Sequence, residues 1–188
     1  MQGKREPEAE LANPRIPLQS HANVPMPSPS LKTLLVSTPK RTLAVAESLT
    51  SGNLQARVGA ISGASHFFIG GITAYTLAAK VGLLGVDYAE AEACDCVSES
   101  VARQMARGVA ERFGANLGVA TTGYAEPYAE QGVIVPFAWW AIAERQADGS
   151  WTETSGRLTC PELNRVGVQL RVTDAAWEAL LKYLNGAD

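Results

Sequence analysis

The sequence predicts one α/β domain, a three-layer sandwich in which helices cover both faces of a mixed, mostly parallel β-sheet. Short apolar segments typical of buried strands alternate along the chain with segments that suit helices. Two late strand segments flank Asp148-Gly149, a dipeptide that favours a tight antiparallel hairpin. The chain has 188 residues, of which 46% are hydrophobic, and that is enough for a core of ordinary size.

The predicted strands are short and rich in apolar residues, and turn residues bound them. They cover 41–46, 67–75, 116–122, 137–143 and 151–158. The predicted helices are separated from these strands by glycine, proline or small polar residues. They cover 31–36, 48–57 after an opening turn, 76–84, 98–113 and 161–184.

The boundaries of the two long helices carry the clearest signals. Ser98 is a good N-cap, Glu99 suits the first turn, and Gly114 ends that helix. Pro161 suits the first turn of the last helix. The predicted buried face of that helix consists of Leu163, Val166, Leu170, Trp177, Leu181 and Leu184.

The composition of residues 1–29 predicts a disordered or extended N-terminal arm, and residues 30–188 are predicted to form the folded domain. Prolines are concentrated in the arm, and each removes a backbone donor and restricts the residue before it. They are Pro7, Pro14, Pro17, Pro25, Pro27 and Pro29. The arm could instead be a docking peptide for an aromatic groove, but a passive arm is the simpler interpretation.

Charge and cysteine content exclude several classes of function. The net charge of −3 argues against a nucleic-acid partner, and no apolar run is long enough to span a membrane. Residues 1–10 are polar and charged, so no secretory signal is expected, and an odd count of three cysteines favours the cytoplasm. Cys94 and Cys96 lack the histidine or cysteine partners of a zinc site, so no metal is expected. No glycine-rich dinucleotide motif follows the first strand.

Polar residues lie at three points where a predicted strand ends, and the ends of parallel strands meet at one edge of a sheet. Ser48 follows the first strand, Tyr75 ends the second with Lys80 one turn into the next helix, and Thr122 ends the third. Each has an ordinary structural explanation, as a helix cap, a boundary or solvated side chain, or a turn residue. Together they suggest a crevice with a Ser–Lys pair, in which a neutral lysine can activate a hydroxyl nucleophile.

Four segments of the chain, in order, resemble motifs of the CinA C-terminal domain family of nicotinamide-nucleotide amidohydrolases. Residues 46–52 (AESLTSG) are similar to A-E-S-C-T-G-G, and residues 70–86 to G-G-x-x-x-Y-S-N-x-x-K…L-G-V. Residues 97–102 are similar to V-S-E-x-V-A, and residues 122–127 (TGYAEP) to T-G-I-A-G-P. The resemblance covers roughly residues 31–184, and the four motifs in order make it specific.

The resemblance implies deamidation of nicotinamide mononucleotide to nicotinate mononucleotide and ammonia, with no metal or other cofactor, by a homo-oligomer. Ser48 would be the nucleophile, and Tyr75 and Lys80 would activate it and shuttle protons. Backbone N–H groups near 50–52 would hold the oxyanion. The residues expected to bind or place the substrate are Thr50, Ser51, Gly52, Thr122, Gly123 and Arg165.

The chain departs from the family pattern around the expected phosphate site. Glu126 stands where the motif has glycine, and residues 128–136 differ from the family's glycine-rich loop. The late G-D-R motif is missing, and Arg165 is the one nearby candidate for its arginine. Three possibilities stay open: hydrolysis of the family substrate, hydrolysis of a smaller or less anionic amide, or a catalytically silent binding or regulatory relative.

Overall fold

The structure is a computed structural model that describes residues 29–37 and 40–186. These residues contain six α-helices and five strands. The strands are β1 (Leu43–Glu47), β2 (Phe68–Thr73), β3 (Leu117–Tyr124), β4 (Phe137–Arg145) and β5 (Trp151–Thr159). The helices are α1 (Pro29–Val36), α2 (Asn53–Gly59), α3 (Leu77–Leu84), α4 (Tyr88–Ala93), α5 (Glu99–Phe113) and α6 (Arg165–Leu184).

The five strands form one mixed sheet in the order β2-β1-β3-β4-β5. Strand β1 pairs in parallel with β2 and with β3. Strand β4 is antiparallel to β3, and β5 is antiparallel to β4, so β5 runs in the same direction as the first three strands. The predicted fold class is confirmed, and β4 is the strand that makes the sheet mixed. The carboxyl ends of β1, β2 and β3 therefore meet at one edge.

Helices cover both faces of the sheet, as the alternation of side chains along β1 shows. Leu43 and Val45 face a core shared with α1, α2 and α6, whereas Ala44 and Ala46 face a core shared with α3, α4 and α5. The second face uses small residues so that α5 lies very close to the sheet. A Cβ added to Gly118 would lie 1.9 Å from the carbonyl oxygen of Ala106, which no real contact allows.

The last helix is shorter than predicted, and the prediction of its buried face is wrong in part. It begins at Arg165 rather than Pro161, because Glu162 has a φ of 61° and Asn164 caps the helix by accepting from the Gly167 amide at 2.8 Å. Its buried residues are Val168, Val172, Thr173, Ala176, Trp177, Leu180 and Leu184. Trp177 and Leu184 were predicted correctly, but Leu163, Val166 and Leu170 are 42%, 60% and 52% exposed.

Two further differences concern short segments. Helix α4 was not predicted, because six residues with two glutamates carry little apolar periodicity; Asp87 caps it by accepting from the Glu90 amide at 2.8 Å. Helix α1 begins at Pro29, the last residue of the predicted arm. Residues 1–28 of that arm lie outside the described residues.

Candidate active site

A cleft of about 500 Å³ lies at the edge where β1, β2 and β3 end. Five of the residues singled out in the sequence line it, and they come from four separate parts of the chain. They are Ser48, Tyr75, Lys80, Gly123 and Arg165. The parallel pairing of β1 with both neighbours brings these residues together, since each of the three strands ends at this edge.

The hydroxyl of Ser48 contacts the amine of Lys80 inside this cleft. Lys80 Nζ donates to Ser48 Oγ at 3.0 Å and to the carbonyl oxygen of Tyr75 at 3.2 Å. The Ser48 amide donates to the Thr121 carbonyl at 3.0 Å, which ties the residue after β1 to β3. Thr76 caps α3 by accepting from the Ala79 amide at 3.2 Å, so Lys80 is held on the first full turn of a capped helix.

Lys80 is almost fully buried, at 2% exposed, and Ser48 is 6% exposed. Burial lowers the pKa of Lys80 because it penalises the ammonium form, while nearby Cys96 and Asp95 act in the opposite direction. A lowered pKa makes the neutral amine easier to form. A neutral amine at this position can take the proton of Ser48 across the existing contact.

The side chain of Tyr75 has a different partner from the one predicted. Its hydroxyl accepts a hydrogen bond from Arg165 Nη2 at 2.5 Å, and Arg165 Nη1 contacts Glu126 Oε1 at 2.6 Å. Among the described residues, the Tyr75 hydroxyl bonds neither Ser48 nor Lys80; the backbone carbonyl of Tyr75 makes the contact with Lys80. The direct activation of Ser48 by the Tyr75 hydroxyl is therefore absent from this conformation.

The helix after Ser48 is capped by a glutamate that the sequence analysis did not single out. Glu47 is fully buried, and its carboxylate accepts from the amides of Gly52 at 2.9 Å, Leu54 at 3.1 Å and Gln55 at 2.8 Å. This carboxylate occupies N-terminal donors of α2 and, of the amides near 50–52 that were expected to hold an oxyanion, it takes that of Gly52. A Glu at the end of a buried strand, just before a helix start, was the available signal.

Three of the predicted substrate contacts, Thr50, Ser51 and Gly52, do not line the cleft. The hydroxyl of Thr50 is buried against that of Thr121 at 2.7 Å. The Ser51 amide donates to the Ser48 carbonyl at 3.2 Å, and the Gly52 amide is taken by Glu47. These residues shape the turn after β1 and, in this conformation, lie outside the cleft.

Thr122 is also buried behind the cleft rather than lining it. Its hydroxyl donates to the carbonyl oxygen of Cys96 at 2.8 Å. Cys96 and its neighbour Asp95 do line the cleft, and both have left-handed backbone conformations, with φ of 62° and 48°. Thr122 therefore holds in place a strained loop that the sequence analysis considered only as a metal site.

A tyrosine wall, formed by Tyr124 and Tyr128, is the other feature of the cleft that the sequence did not reveal. The two rings lie 6.0 Å apart at 45°, and Phe137 packs edge-on against Tyr124 at 5.4 Å. The Tyr124 hydroxyl donates to Asp95 Oδ2 at 3.0 Å. Burial and the Asp95 carboxylate raise the pKa of Tyr124, so its hydroxyl stays protonated.

Within residues 29–37 and 40–186, no group of three His, Cys, Asp or Glu side chains is placed to hold a metal ion. Over the same ranges, no helix combines the length and apolar character that crossing a bilayer requires. Cys94, Cys96 and Cys160 are free thiols.

Comparison with known proteins identifies relatives of the chain. Residues 30–184 match the family model described as the CinA C-terminal domain. A CinA-like protein of Chlorobium limicola is 47% identical over 144 residues, which cover 76% of this chain and 33% of the relative. A CinA-like protein of Mycolicibacterium gilvum is 38% identical over 146 residues, covering 78% of this chain and 34% of the relative. The chain thus spans about a third of the length of these curated relatives.

Solved structures show the same fold. A competence damage-inducible protein A from Klebsiella pneumoniae is 27% identical, with a TM-score of 0.74 over 83% of this chain and 93% of that one. A competence/damage inducible protein, CihA, from Agrobacterium tumefaciens is 29% identical, with a TM-score of 0.69 and the same coverage of 83% and 93%. Both likenesses extend over nearly all of the neighbouring chain, so the whole domain is shared.

Proposed function

The chain belongs to the CinA C-terminal domain family, and on that premise we propose that it is an amidohydrolase that converts a carboxamide to a carboxylate and ammonia. Ser48 is the nucleophile and Lys80 the general base. The observation that carries this proposal is the contact of 3.0 Å between Lys80 Nζ and Ser48 Oγ in a buried corner of an open cleft. A buried lysine whose pKa is lowered and whose amine contacts a serine hydroxyl is suited to proton transfer.

The reaction follows from this pair without a metal. Neutral Lys80 takes the Ser48 proton as Oγ attacks the amide carbon, which forms a tetrahedral intermediate. Lys80 then gives that proton to the leaving nitrogen, ammonia departs, and an ester joins the acyl group to Ser48. Water attacks the ester while Lys80 takes one of its protons, and Lys80 returns that proton to Ser48 Oγ as the second tetrahedral intermediate collapses. The acid product loses its remaining proton to solvent or to the released ammonia and leaves as the carboxylate.

The oxyanion of the intermediate needs N–H donors that are not already in use. In the turn after β1, the Gly52 and Ser51 amides have partners within the protein. The amides of Leu49 and Thr50 have no hydrogen-bond partner among the described residues. Leu49 lines the cleft whereas Thr50 does not, so the Leu49 amide is assigned to the oxyanion. Tyr75 is assigned a positioning role, because its carbonyl oxygen holds Lys80 Nζ.

The proposed chemistry suits two kinds of substrate, and the alternative is a relative that binds without hydrolysis. The family resemblance suggests nicotinamide mononucleotide, with Gly123 and Arg165 at the cleft to bind it. The ion pair between Glu126 and Arg165 favours a smaller or less anionic amide, because the guanidinium already has a carboxylate partner. A silent binding relative is the third possibility, and it predicts binding without ammonia release.

Ammonia release by the full-length wild-type protein is the direct test, with nicotinamide mononucleotide and simpler carboxamides as substrates. Ser48→Ala should abolish both ammonia release and the acyl-enzyme detected by mass spectrometry. Ser51→Ala is the matched control, since that hydroxyl lies in the same turn but outside the cleft, and it should keep most of the activity. Equal activity of Ser48→Ala and wild type would contradict the proposal.

We further propose that the chain acts as a cytoplasmic homo-oligomer. The free thiols suit a reducing compartment. The outer surface at the start of α6 exposes Val166 and Leu170, one turn apart on the helix, and Leu163 just before it, next to the cleft residue Arg165. A second copy of the chain would cover this face. Sedimentation should show a multimer that Leu170→Asp weakens, and a monomeric wild type would contradict the proposal.

A further inference from the structure

The charges around the cleft indicate which class of amide it accepts. We propose that the cleft takes a flat aromatic carboxamide that carries a positive charge and no anionic group, and that Asp95, Tyr124 and Tyr128 form the subsite that selects it. This inference rests on the proposed function, since it names the substrate class of the same cleft.

The tyrosine wall supplies a surface for a flat ring. Both tyrosines line the cleft, and Tyr128 is 38% exposed there. Tyr124 is held at both ends, by Phe137 packed edge-on against its ring and by Asp95 at its hydroxyl. A ring stacked on a rigid aromatic face gains contact area at little entropic cost, and a cationic ring gains attraction to the negative face of the tyrosines as well.

Two basic and two acidic side chains line the cleft: Lys80, Arg165, Asp95 and Glu126. Three of the four contribute little net charge. Arg165 and Glu126 form an ion pair at 2.6 Å, so their charges offset each other. Burial favours the neutral form of Lys80. Asp95 is left as the carboxylate beside the tyrosine wall, because no lysine or arginine of the described residues forms an ion pair with it. The field at the wall therefore favours a cation over an anion.

The position of Asp95 is built into the fold rather than left to a mobile loop. Asp95 and Cys96 both have positive φ, a conformation that costs free energy for residues other than glycine. Two hydrogen bonds on Cys96 hold the loop: its amide donates to the Ala91 carbonyl at 2.7 Å, and its carbonyl accepts from Thr122. The strain is offset by these contacts, and they place a carboxylate at the cleft.

An anionic group on the substrate would meet an occupied site. Of the two cationic residues that line the cleft among the described residues, Arg165 is the exposed one, and its guanidinium is hydrogen-bonded to Glu126 and to the Tyr75 hydroxyl. A phosphate would have to displace the Glu126 carboxylate and then remain close to its charge. A cation without a phosphate requires no such displacement.

Binding is measured with the Ser48→Ala variant of the 188-residue chain. This variant lacks the proposed nucleophile, so substrate recognition is tested apart from hydrolysis. The probes are 1-methylnicotinamide, which is cationic, nicotinamide, which is neutral, and nicotinamide mononucleotide, which carries a phosphate. Equilibrium dialysis should show 1-methylnicotinamide binding about tenfold more tightly than nicotinamide, the size expected of a cation held by aromatic faces and a carboxylate. Nicotinamide mononucleotide should bind more weakly than 1-methylnicotinamide.

Further substitutions in the Ser48→Ala background test which residues cause the preference for the cationic amide. Asp95→Asn should remove most of the preference for the cation, and Glu111→Gln, an exposed carboxylate of α5 with the same change of charge, should keep it. Tyr124→Leu should weaken the binding of both amides several-fold, and Tyr88→Leu, an exposed tyrosine outside the cleft, should not. Tyr124→Phe keeps the ring and releases Asp95 from its hydrogen bond, so the preference should survive.

Equal binding of the charged and neutral amides, or a cation preference that Asp95→Asn leaves intact, would overturn the subsite. Tighter binding of the phosphorylated probe than of 1-methylnicotinamide would overturn the exclusion of anions. Failure of the proposed function gives a different pattern. If the cation preference depends on Asp95 but the wild type releases no ammonia from any probe, the subsite stands and the hydrolase proposal falls. If the wild type releases ammonia but binds the charged and neutral amides equally, the hydrolase proposal stands and the subsite proposal falls.

Discussion

The buried corner of the cleft and its exposed rim are held by different means. The corner contains Ser48 and Lys80, which lie against the ends of buried strands and have almost no contact with solvent. The rim contains Glu126, Tyr128 and Arg165, which lie on a loop and at a helix start and are open to solvent. The corner matches the family motifs and the rim departs from them. The catalytic chemistry can thus be retained in the corner while the substrate preference changes at the rim.

The largest expected effect is the loss of the corner's base. Lys80→Met should lower the rate of ammonia release by about a thousandfold, because no His or carboxylate contacts the Ser48 hydroxyl among the described residues. Steady-state kinetics measures the loss. Lys32→Met, a substitution of the same kind on α1 outside the cleft, serves as the control and should leave the rate unchanged. A Lys80→Met variant with near wild-type turnover would rule out lysine as the base.

The next effect concerns the scaffold beneath the corner. Gly118→Ala on β3 should destabilise the fold by about 3 kcal/mol, since the added methyl overlaps the Ala106 carbonyl of α5. Urea unfolding gives the free energy of unfolding. Gly59→Ala, at the end of α2 with open space around its Cβ position, should change it by less than about 1 kcal/mol. Similar values for both variants would mean that α5 can move away from the sheet at little cost.

A smaller effect is expected at the rim. Glu126→Gln frees the Arg165 guanidinium and should strengthen the binding of nicotinamide mononucleotide roughly five-fold at low salt, an effect that salt should screen because the pair is exposed. Isothermal titration measures the affinity. Glu130→Gln is the control, because Glu130 lies in the same loop but contacts Tyr128 rather than Arg165. No gain in Glu126→Gln would mean that the ion pair does not limit anion binding.

The pH dependence of activity links the two regions. Activity should rise with pH as Lys80 loses its proton, below the ordinary range of a lysine because burial lowers its pKa. Asp95 stabilises the ammonium form of Lys80, so its removal lowers that pKa further. The rising limb of the pH–rate profile of Asp95→Asn should therefore move to lower pH. A shift to higher pH would show that Asp95 acts on another group.

The smallest expected effect is that of the N-terminal arm. Deleting residues 1–28 should leave the thermal midpoint of unfolding nearly unchanged, because a segment with this proline-rich, polar composition is expected to bury little apolar surface. Calorimetry on the shortened and full-length chains, at equal protein concentration, makes the comparison. A drop of several degrees would assign the arm a packing role, on its own domain or on another copy.

Local patterns predicted most of the elements, and the errors have physical causes. The capped helix from Glu99 to Phe113 and the hairpin of β4 and β5 are confirmed, since caps, apolar spacing and turn residues act within a few positions. The buried face of α6 was predicted wrongly in part, because leucines and valines occur on two sides of the helix. Only the sheet determines which side is buried: Val168 and Val172 pack inward while Val166 and Leu170 face out.

The sequence by itself determined the order of the elements, the mixed α/β class and the pairing of a serine with a lysine at neighbouring strand ends. Those features depend on local propensity and on the rule that parallel strands end together. Only the tertiary structure decided the rest. The carboxylate of Glu47 takes the N-terminal donors of α2, the Tyr75 hydroxyl turns to Arg165, and the strained loop at Asp95 reaches the cleft. Each of these features depends on contacts between groups from different parts of the chain. No local sequence pattern specifies which of those groups come together.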